Sequence, residues 1–347
     1  MSVADRNPRP RLLITGGAGY IGSHMCVELL HAGYDVTVLD NLSNGSRGAI
    51  QAIRRLTNRE IDLREGDIRD KDLLDTLFSE QNIAGCIHFA GLKAVGESVE
   101  QPLTYYDNNV NGTLCLLQAM ERNGVRTLVF SSSATVYGDP ASVPIDESFP
   151  TGATNPYGRS KLMIEELLRD FASSNPLWRI SILRYFNPVG AHASGDLGED
   201  PQGIPNNLMP FIAQVATGRR DKLSVFGNDY PTPDGTGVRD YIHVVDLAAG
   251  HLAALDYLAS NAGLSVHNLG TGQGYSVLDM VAAFERASGQ SIPFEFTDRR
   301  PGDIAECYAD PTKAEQELGW SAKYDLDRMC EDVWRWQSRH PQGFEPD

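Results

Sequence analysis

The fold of this chain is decided by the stretch Thr15-Gly-Gly-Ala-Gly-Tyr-Ile-Gly22. It follows a short apolar run, Arg11-Leu-Leu-Ile-Thr15, and leads into a stretch with helical apolar spacing that ends at Gly33. The glycines fit either G-x-G-x-x-G or G-x-x-G-x-x-G, and both spacings allow a tight turn between a buried strand and a helix. Backbone N–H groups at the start of such a helix favour an anionic group. The stretch therefore predicts a turn that binds the pyrophosphate of a dinucleotide.

Strand and helix patterns alternate from this turn onward. The next strand, Asp35-Val-Thr-Val-Leu-Asp40, ends in a carboxylate at the place where NAD-binding folds hold the ribose 2′-hydroxyl and repel a 2′-phosphate. The alternation predicts an α/β fold with a Rossmann-type, doubly wound parallel sheet. Further strands are predicted at 62–65, 85–89, 127–131 and 179–183, with helices between them that include 102–123 and 157–173.

The amino-acid composition of the sequence changes after residue 184. The segments 185–203 and 227–237 are rich in Gly, Pro, Asn and Asp, and shorter helices and strands follow them. We therefore predict an NAD-binding domain over 11–184 and a smaller mixed α/β substrate domain over 185–347, with the chain free to cross between the two. Residues 1–10 are expected to form a disordered tail, since Pro8 and Pro10 oppose a helix.

Composition and charge narrow the class of protein. The chain has 347 residues, 41% of them apolar and 22% charged, as in an ordinary globular domain. Its net charge of −16 disfavours a broad surface for nucleic acid or anionic membranes. No apolar run reaches the ~18 residues of a membrane span, and the polar start is not typical of a signal peptide. The cysteines form no C-x-x-C unit, so we expect no metal site, no disulfides and a cytoplasmic location.

A second group of residues points to catalysis. Asn155 and Pro156 form a helix start before Tyr157-Gly-Arg-Ser-Lys161, whose spacing of four places the tyrosine and the lysine on one helix face. A nearby ammonium and a positive nicotinamide ring would both lower the phenol pKa from its ordinary value near ~10. The stretch Ser131-Ser-Ser-Ala-Thr-Val-Tyr-Gly138 follows a predicted strand, at the sheet edge where ligands bind. Which of its three serines faces the ligand stays open.

Together these motifs resemble the extended short-chain dehydrogenase/reductase superfamily. Longer strings resemble the UDP-glucose 4-epimerase (UDP-galactose 4-epimerase) family in particular, and the resemblance extends from Arg11 to about Gly343. It implies bound NAD, a UDP-sugar substrate, a homodimer paired through helices near 103–123 and 157–173, and reversible epimerisation at C4 through a 4-keto intermediate. Three of the strings are His88-Phe-Ala-Gly-Leu-Lys-Ala-Val-Gly-Glu-Ser98, Leu183-Arg-Tyr-Phe-Asn-Pro-Val-Gly-Ala191 and Gly203-Ile-Pro-Asn-Asn-Leu-Met-Pro210.

The resemblance also implies roles for single positions. Tyr157 would be the catalytic base and acid, Lys161 its electrostatic partner and a ribose ligand, and Ser133 the hydroxyl beside the sugar 4-OH. Besides these three, the positions that match NAD contacts are Gly16, Gly19, Tyr20, Ile21, Gly22, Asp40, Asn41, Asn44, Asp67, Ile68, Phe89, Ala90, Gly91, Lys93, Asn108 and Phe186. Those that match UDP-sugar contacts are Lys93, Ser133, Tyr157, Tyr185, Asn187, Asn206, Asn207, Leu208, Phe226, Arg239, Tyr241, Arg300, Asp303 and Cys307.

Two of these positions carry an argument about charge. Guanidinium groups bind a diphosphate through paired hydrogen bonds, which suits Arg239 and Arg300. Since both expected ligands are anionic and the chain is acidic, we predict a small positive cleft between the two domains. It would be formed by the N–H groups of the glycine turn together with Lys161 and the two arginines.

Three alternatives remain beside the main interpretation. Cys307 stands where some epimerases carry tyrosine, so the pocket would admit an N-acetyl group at the sugar 2-position; otherwise it is a small apolar residue with no role in selectivity. A nucleotide-sugar 4,6-dehydratase would need an Asp-Glu pair where Ala134 and Thr135 stand. A non-catalytic NAD-binding regulator would be expected to lose Tyr157 or Lys161.

Overall fold

The main sheet has seven parallel strands in a computed structural model that describes residues 10–201, 203–300 and 302–345. The strand order is β10-β6-β5-β4-β1-β2-β3, which reverses between β1 and β4 and confirms the predicted Rossmann-type α/β fold. The tail predicted at 1–10 lies outside the described residues apart from Pro10. The strands are β1 (Arg11–Thr15), β2 (Asp35–Asp40), β3 (Asp62–Glu65), β4 (Ile83–His88), β5 (Thr127–Ser131), β6 (Arg179–Tyr185) and β10 (Gly263–Leu269).

Helices cover both faces of this sheet. Successive residues of β1 point to opposite layers: Ile14 packs in one apolar cluster and Leu13 in the other. Because both layers bury the central strands, β1, β4 and β5 are mostly apolar, whereas the edge strand β3 is mostly charged. The first layer contains α1 (Tyr20–His31), α2 (Arg47–Thr57), α9 (Val244–Ser260) and α11 (Thr312–Leu318), and the second contains α3 (Lys71–Glu80), α6 (Gly112–Arg122) and α7 (Pro156–Ser174).

The prediction of a single helix over 102–123 is wrong, because the middle of this range is not α-helical. A short helix, α5 (Pro102–Tyr105), runs into a π-helical segment (Tyr106–Asn111) before α6 begins, and an unpredicted helix, α4 (Val95–Glu100), precedes them. The wider turn carries the buried Asn109, whose Oδ1 accepts from the Leu92 N–H at 2.8 Å and whose Nδ2 donates to the Leu92 carbonyl at 3.0 Å. π-helical turns are frequent at functional sites, and here the turn fixes a loop beside the cleft described below.

The rest of the chain forms smaller sheets and helices. β9 pairs with β7, β11 and β13, and β8 pairs with β12 in a separate two-stranded sheet. Helices α8, α10 and α12 enclose a further apolar core. These elements are β7 (Asn187–Val189), β8 (Leu223–Phe226), β9 (Val238–His243), β11 (Gly274–Ser276), β12 (Phe294–Thr297), β13 (Glu306–Cys307), α8 (Leu208–Ala216), α10 (Val277–Ser288) and α12 (Leu326–Arg339).

The chain returns to the main sheet after residue 185. β10 pairs with β6 from Gly263–Arg179 to Leu269–Tyr185, and α9 packs against α1. The predicted domain boundary at residue 184 therefore marks a change in amino-acid composition. That the two parts are separate domains stays a prediction. Within the ranges that the structure describes, no helix has the length and apolarity to cross a bilayer, and no three His, Cys, Asp or Glu side chains group as metal ligands.

Candidate functional site

A cleft of about 720 Å³ lies where β1 runs into α1, and its volume is typical of a ligand pocket. The glycines of this turn are required by close approaches. Gly16 has a φ of +71°, and a Cβ there would lie 2.7 Å from the Ala90 nitrogen. A Cβ on Gly22 would lie 2.2 Å from the Gly16 carbonyl oxygen. The turn therefore excludes side chains and leaves the N-terminus of α1 facing the cleft, which suits a pyrophosphate.

Asp40 ends β2 in the same cleft. Its carboxylate accepts hydrogen bonds from the N–H groups of Ala18 at 3.0 Å and Leu42 at 2.9 Å. Burial raises the pKa of Asp40, and the two hydrogen bonds oppose that rise. Nearby, hydrogen bonds from Arg69 lower the pKa of Asp67 to about 2, and Asn41 donates to the same carboxylate at 3.2 Å. Fixed carboxylates of this kind accept from ribose hydroxyls and repel an extra phosphate, so the residues present fit NAD.

The cleft brings together nearly all residues that the resemblance assigns to NAD. Only Ser133 and Phe186 lie outside its lining among the described residues. Among the lining residues that the sequence reasoning did not assign are Glu199, Asp200 and Phe344. The first two lie in a loop that is marked only by its composition, and the third lies more than 300 residues from the glycine turn, so no local pattern places it there.

Tyr157 occupies the first turn of α7 and is 7% exposed. The helix starts as predicted, with the Asn155 side chain accepting from the Gly158 N–H at 2.9 Å and Pro156 next to it. Burial raises the pKa of Tyr157 well above its ordinary value, and a hydrogen bond from Ser133 lowers it. In the protein alone, the loss of hydration on burial is therefore the largest effect on this phenol, whereas the lowering expected from the ammonium and the nicotinamide ring together concerns the NAD-bound protein and stays a prediction.

The structure distinguishes the three serines. Ser132 Oγ donates to Glu165 at 2.6 Å, and Ser131 Oγ lies 3.4 Å from His251 Nε2. Ser133 Oγ accepts from the Thr135 N–H at 3.2 Å and from its hydroxyl at 3.0 Å, and it is the serine that lowers the pKa of Tyr157. Ser133 therefore stands beside the tyrosine, as the resemblance implies.

Lys161 lies one helical turn after Tyr157 and is 4% exposed. Its Nζ donates to the Ser131 carbonyl at 2.9 Å and lies 4.9 Å from the centroid of the Phe130 ring. Burial lowers the pKa of Lys161 to about 8, and Glu165 opposes that shift. The ammonium is thus charged near neutral pH and titrates within reach of ordinary assays.

Lys161 should make the stability of the NAD-free protein depend on pH. Its pKa is about 8 in the folded protein, against an ordinary value of 10.5. Between these values the unfolded chain binds more protons, so the free energy of unfolding rises with pH. Urea unfolding between pH ~8 and ~10 should show a steeper rise for the wild type than for Lys161→Met, which lacks the ammonium. Parallel curves for the two proteins would contradict the assignment.

The residues assigned to the UDP-sugar mostly form a second group. Asn187 faces Tyr241 in the β7–β9 register, and Arg239 faces Cys307 in β9–β13. The Arg300 guanidinium lies 4.5 Å from the Phe226 ring centroid, and its Nε donates to Asp303 at 3.2 Å. Of the whole set, Lys93, Tyr157, Tyr185, Asn206 and Asn207 line the cleft, whereas Ser133, Asn187, Leu208, Phe226, Arg239, Tyr241, Arg300, Asp303 and Cys307 do not.

The predicted positive cleft is wrong as far as side chains are concerned. Among the described residues that line it, two lysines, Lys93 and Lys161, stand against six carboxylates. Arg239 and Arg300 lie outside the lining. An anion here would be held by backbone N–H groups at the start of α1, which supply positive potential without a charged side chain. The carboxylates of the lining are Asp40, Asp67, Glu97, Glu100, Glu199 and Asp200.

Known proteins resemble this chain over nearly its full length. A family model described as GDP-mannose 4,6 dehydratase matches residues 13–333. The UDP-glucose 4-epimerase of Bacillus subtilis (strain 168) is 60% identical over 333 residues, 96% of this chain and 98% of the relative. That of Homo sapiens is 58% identical over 341 residues, with the same shares covered. The crystal structure of UDP-glucose 4-epimerase from Bifidobacterium longum in complex with NAD+ and UDP has a TM-score of 0.94 at 54% identity, covering 96% of this chain and 100% of that one.

Proposed function

The chain belongs to the family of UDP-glucose 4-epimerases, and we propose that it interconverts UDP-galactose and UDP-glucose by reversible epimerisation at C4 with bound NAD. The observation that carries this proposal is the buried Tyr157 at the glycine-turn cleft, with the Lys161 ammonium one helical turn away and the Ser133 hydroxyl near enough to lower the pKa of its phenol. This arrangement places an acid–base group where a sugar hydroxyl can meet a dinucleotide.

The chain's own residues would handle the proton of the sugar 4-OH. NAD bound in the cleft would supply a positive ring and a hydride acceptor that returns the hydride to the other face of the 4-keto sugar. Tyr157 takes the 4-OH proton in the first half of the reaction and gives it back in the second, so the proton count is unchanged. Ser133 orients that hydroxyl and lowers the pKa of Tyr157, and Lys161 adds a positive charge one helical turn away.

Turning the 4-keto sugar requires a firm hold on UDP and a loose hold on the sugar. The second group of residues can provide the firm hold. Burial raises the pKa of Tyr241 to about 12, and the charges of Arg239 and Arg300 oppose that rise, so the two guanidinium groups lie near the same ring. They can bind the diphosphate, and the exposed Phe226 ring offers a face for the uracil.

A 4,6-dehydratase, the activity that the family model's description names, is not supported by the residues present. Elimination of water from the sugar needs a further acid–base pair after Ser133. Ala134 has no titratable group, and the Thr135 hydroxyl donates to Ser133. A non-catalytic NAD-binding regulator is also disfavoured, because both Tyr157 and Lys161 are retained and buried in a fixed geometry.

The proposed reaction can be tested without added cofactor. Purified protein is mixed with UDP-galactose alone, and UDP-glucose is followed by chromatography. We expect product, because NAD is regenerated in each turnover and remains bound. A protein that carries NAD and intact Tyr157 but forms no UDP-glucose would refute the proposal.

We also propose that the pocket accepts N-acetylated UDP-sugars. Cys307 is partly buried and packs against the cluster of Ala134, Val136, Phe186 and Ala309, in which Ala134 is the residue after Ser133. Burial raises the pKa of its thiol to about 11, so it is not a thiolate nucleophile near neutral pH. A small wall residue at this place leaves room for a larger group at the sugar 2-position.

Enlarging this wall should change selectivity. In Cys307→Tyr, the ratio of kcat/KM for UDP-GlcNAc to that for UDP-galactose should fall about tenfold or more, since the ring would clash with the N-acetyl group only. Cys307→Ser keeps the volume small and should leave the ratio near that of the wild type. Steady-state kinetics with both substrates checks this, and an unchanged ratio in Cys307→Tyr would show that Cys307 has no role in selectivity.

A homodimer is proposed from an exposed apolar surface on α4, α5 and α7. Leu103 is 81% exposed, Val99 62% and Met163 45%, and the three helices that carry them pack against one another. Apolar residues grouped in this way are typical of protein–protein contact surfaces. α5 and α7 fall within the helices that the resemblance implies for dimerisation, whereas α4 lies before them.

A charge placed in this surface should separate the protomers. We expect Leu103→Glu to reduce the mass in solution from twice 38.0 kDa to 38.0 kDa at micromolar concentration. Leu177→Glu is the matched control, because Leu177 is 64% exposed but lies beyond the end of α7. Analytical ultracentrifugation gives the masses, and a Leu103→Glu protein that stays dimeric would exclude this surface.

We propose a cytoplasmic location and small-molecule ligands rather than nucleic acid or membrane. The five cysteines are free thiols, four of them buried, as is common in reducing compartments. The net charge of −16 opposes binding to polyanions.

A further inference from the structure

The end of the chain folds back on α12 as an aromatic cluster. The Trp336 ring stacks on His340 with centroids 4.2 Å apart, and the Phe344 ring centroid lies 4.7 Å from that of Trp336. Two backbone hydrogen bonds hold this turn. The His340 N–H donates to the Trp336 carbonyl, and the Gly343 N–H donates to the His340 carbonyl at 3.0 Å. We call Trp336, His340 and Phe344 the C-terminal clasp.

The clasp binds one wall of the cleft through a loop that precedes α8. The indole Nε1 of Trp336 donates to the Glu199 carbonyl at 3.2 Å, and the Phe344 N–H donates to Asp200 Oδ2 at 3.0 Å. Both acids line the cleft, and the Glu199 carboxylate lies 3.2 Å from the Lys93 ammonium, which also lines it. Asp200 is thus positioned by the chain end.

The clasp also touches the opposite wall, at the start of α2. A Cβ on Gly48 would come within 2.6 Å of the Phe344 Cβ and 2.8 Å of its Cγ, so the Phe344 side chain packs directly against the Gly48 backbone. Gly48 follows the cap residue Ser46, whose N–H donates to the Ala18 carbonyl in the glycine turn. Asp40, the proposed ribose acid, accepts from the same Ala18. Phe344 itself lines the cleft.

We infer that the C-terminal clasp joins the two walls of the cleft at its Asp40 end and slows the release of NAD. Phe344 contacts Gly48 on one wall and Asp200 on the other, so the walls cannot separate there without breaking its contacts. Retaining NAD suits an enzyme in which the cofactor is regenerated in every turnover. The inference rests on the proposed function only in taking the ligand of the cleft to be NAD.

Release of labelled NAD from loaded protein into excess unlabelled NAD tests the clasp. Phe344→Ala should raise the release rate about tenfold or more, since it removes a ring that bridges the walls. Asp200→Ala should raise it as well, by removing the acceptor of the Phe344 N–H. Phe344→Tyr keeps the ring and should restore slow release. Phe294→Ala, which removes an exposed ring on β12, is the matched control and should release NAD as the wild type does.

A second measurement separates the clasp from general stability. The urea midpoint of the NAD-free Phe344→Ala protein should stay close to that of Phe294→Ala. The inference is overturned if Phe344→Ala releases NAD as slowly as the wild type, or if Phe344→Tyr releases it as fast as Phe344→Ala. It is also overturned if the faster release from Phe344→Ala is accompanied by a large loss of stability in the NAD-free protein. A wild-type protein that holds no NAD would instead overturn the proposed function, and the clasp with it.

Discussion

Tyr157→Phe is expected to lower kcat for epimerisation by about 10³-fold or more while the protein still retains NAD. The substitution removes only the hydroxyl that exchanges a proton with the sugar 4-OH, and positioned acid–base groups contribute about 10²–10⁴-fold to rates. The ring itself stays packed in the first turn of α7, where it is 7% exposed. Binding of UDP-galactose should therefore change little, so the loss should appear in kcat rather than in KM.

Two comparisons make this result specific. Tyr257→Phe removes a hydroxyl from α9, outside the cleft lining, and should keep wild-type kcat. The absorbance of bound NAD in the purified variant shows whether the cofactor remains. A Tyr157→Phe protein with bound NAD and more than about a tenth of the wild-type kcat would assign the proton transfer to another group.

Local patterns predicted the parts of the site that depend on neighbouring residues. The glycine turn, the acid that ends β2 and the cap of α7 by Asn155 are each set within a few residues, and each lies where predicted. The resemblance placed most NAD positions in one cleft. These features follow from close backbone approaches and capping, which the sequence records directly.

The features that sequence missed depend on contacts between distant parts of the chain. The π-helical segment around Asn109 follows from hydrogen bonds to Leu92, which no periodicity records. The charge of the cleft was mispredicted because Arg239 and Arg300 lie on separate elements beside it, whereas Glu199 and Asp200 enter through a loop. The same holds for Phe344, which reaches the cleft only through the fold of α12.

The second large effect is expected on stability, at a buried ion pair on the helix that carries Tyr157. Glu165 is fully buried on α7 and Arg184 is 2% exposed on β6. Arg184 Nη2 donates to Glu165 Oε2 at 2.6 Å, its Nε donates to Oε1 at 3.0 Å, and Ser132 donates to Oε1 at 2.6 Å. Arg184 also donates to the Tyr137 hydroxyl at 3.0 Å. The pair therefore ties the helix that carries Tyr157 to β6, and the Ser132 hydrogen bond ties the same helix to the residue before Ser133.

Glu165→Ala should lower the free energy of unfolding by about 3–5 kcal/mol, because it leaves the buried Arg184 guanidinium without its counter-charge. Glu166→Ala is the control, since Glu166 pairs with Arg169 at the surface and should cost less than about 1 kcal/mol. Urea unfolding of NAD-free protein at one fixed concentration measures both. Adding Arg184→Met to Glu165→Ala should recover part of the loss, because the cost lies mainly in the unpaired charge. A double variant less stable than Glu165→Ala alone would show instead that packing around Arg184 dominates. In either case, the coupling between the two substitutions measures how strongly the pair joins α7 to β6.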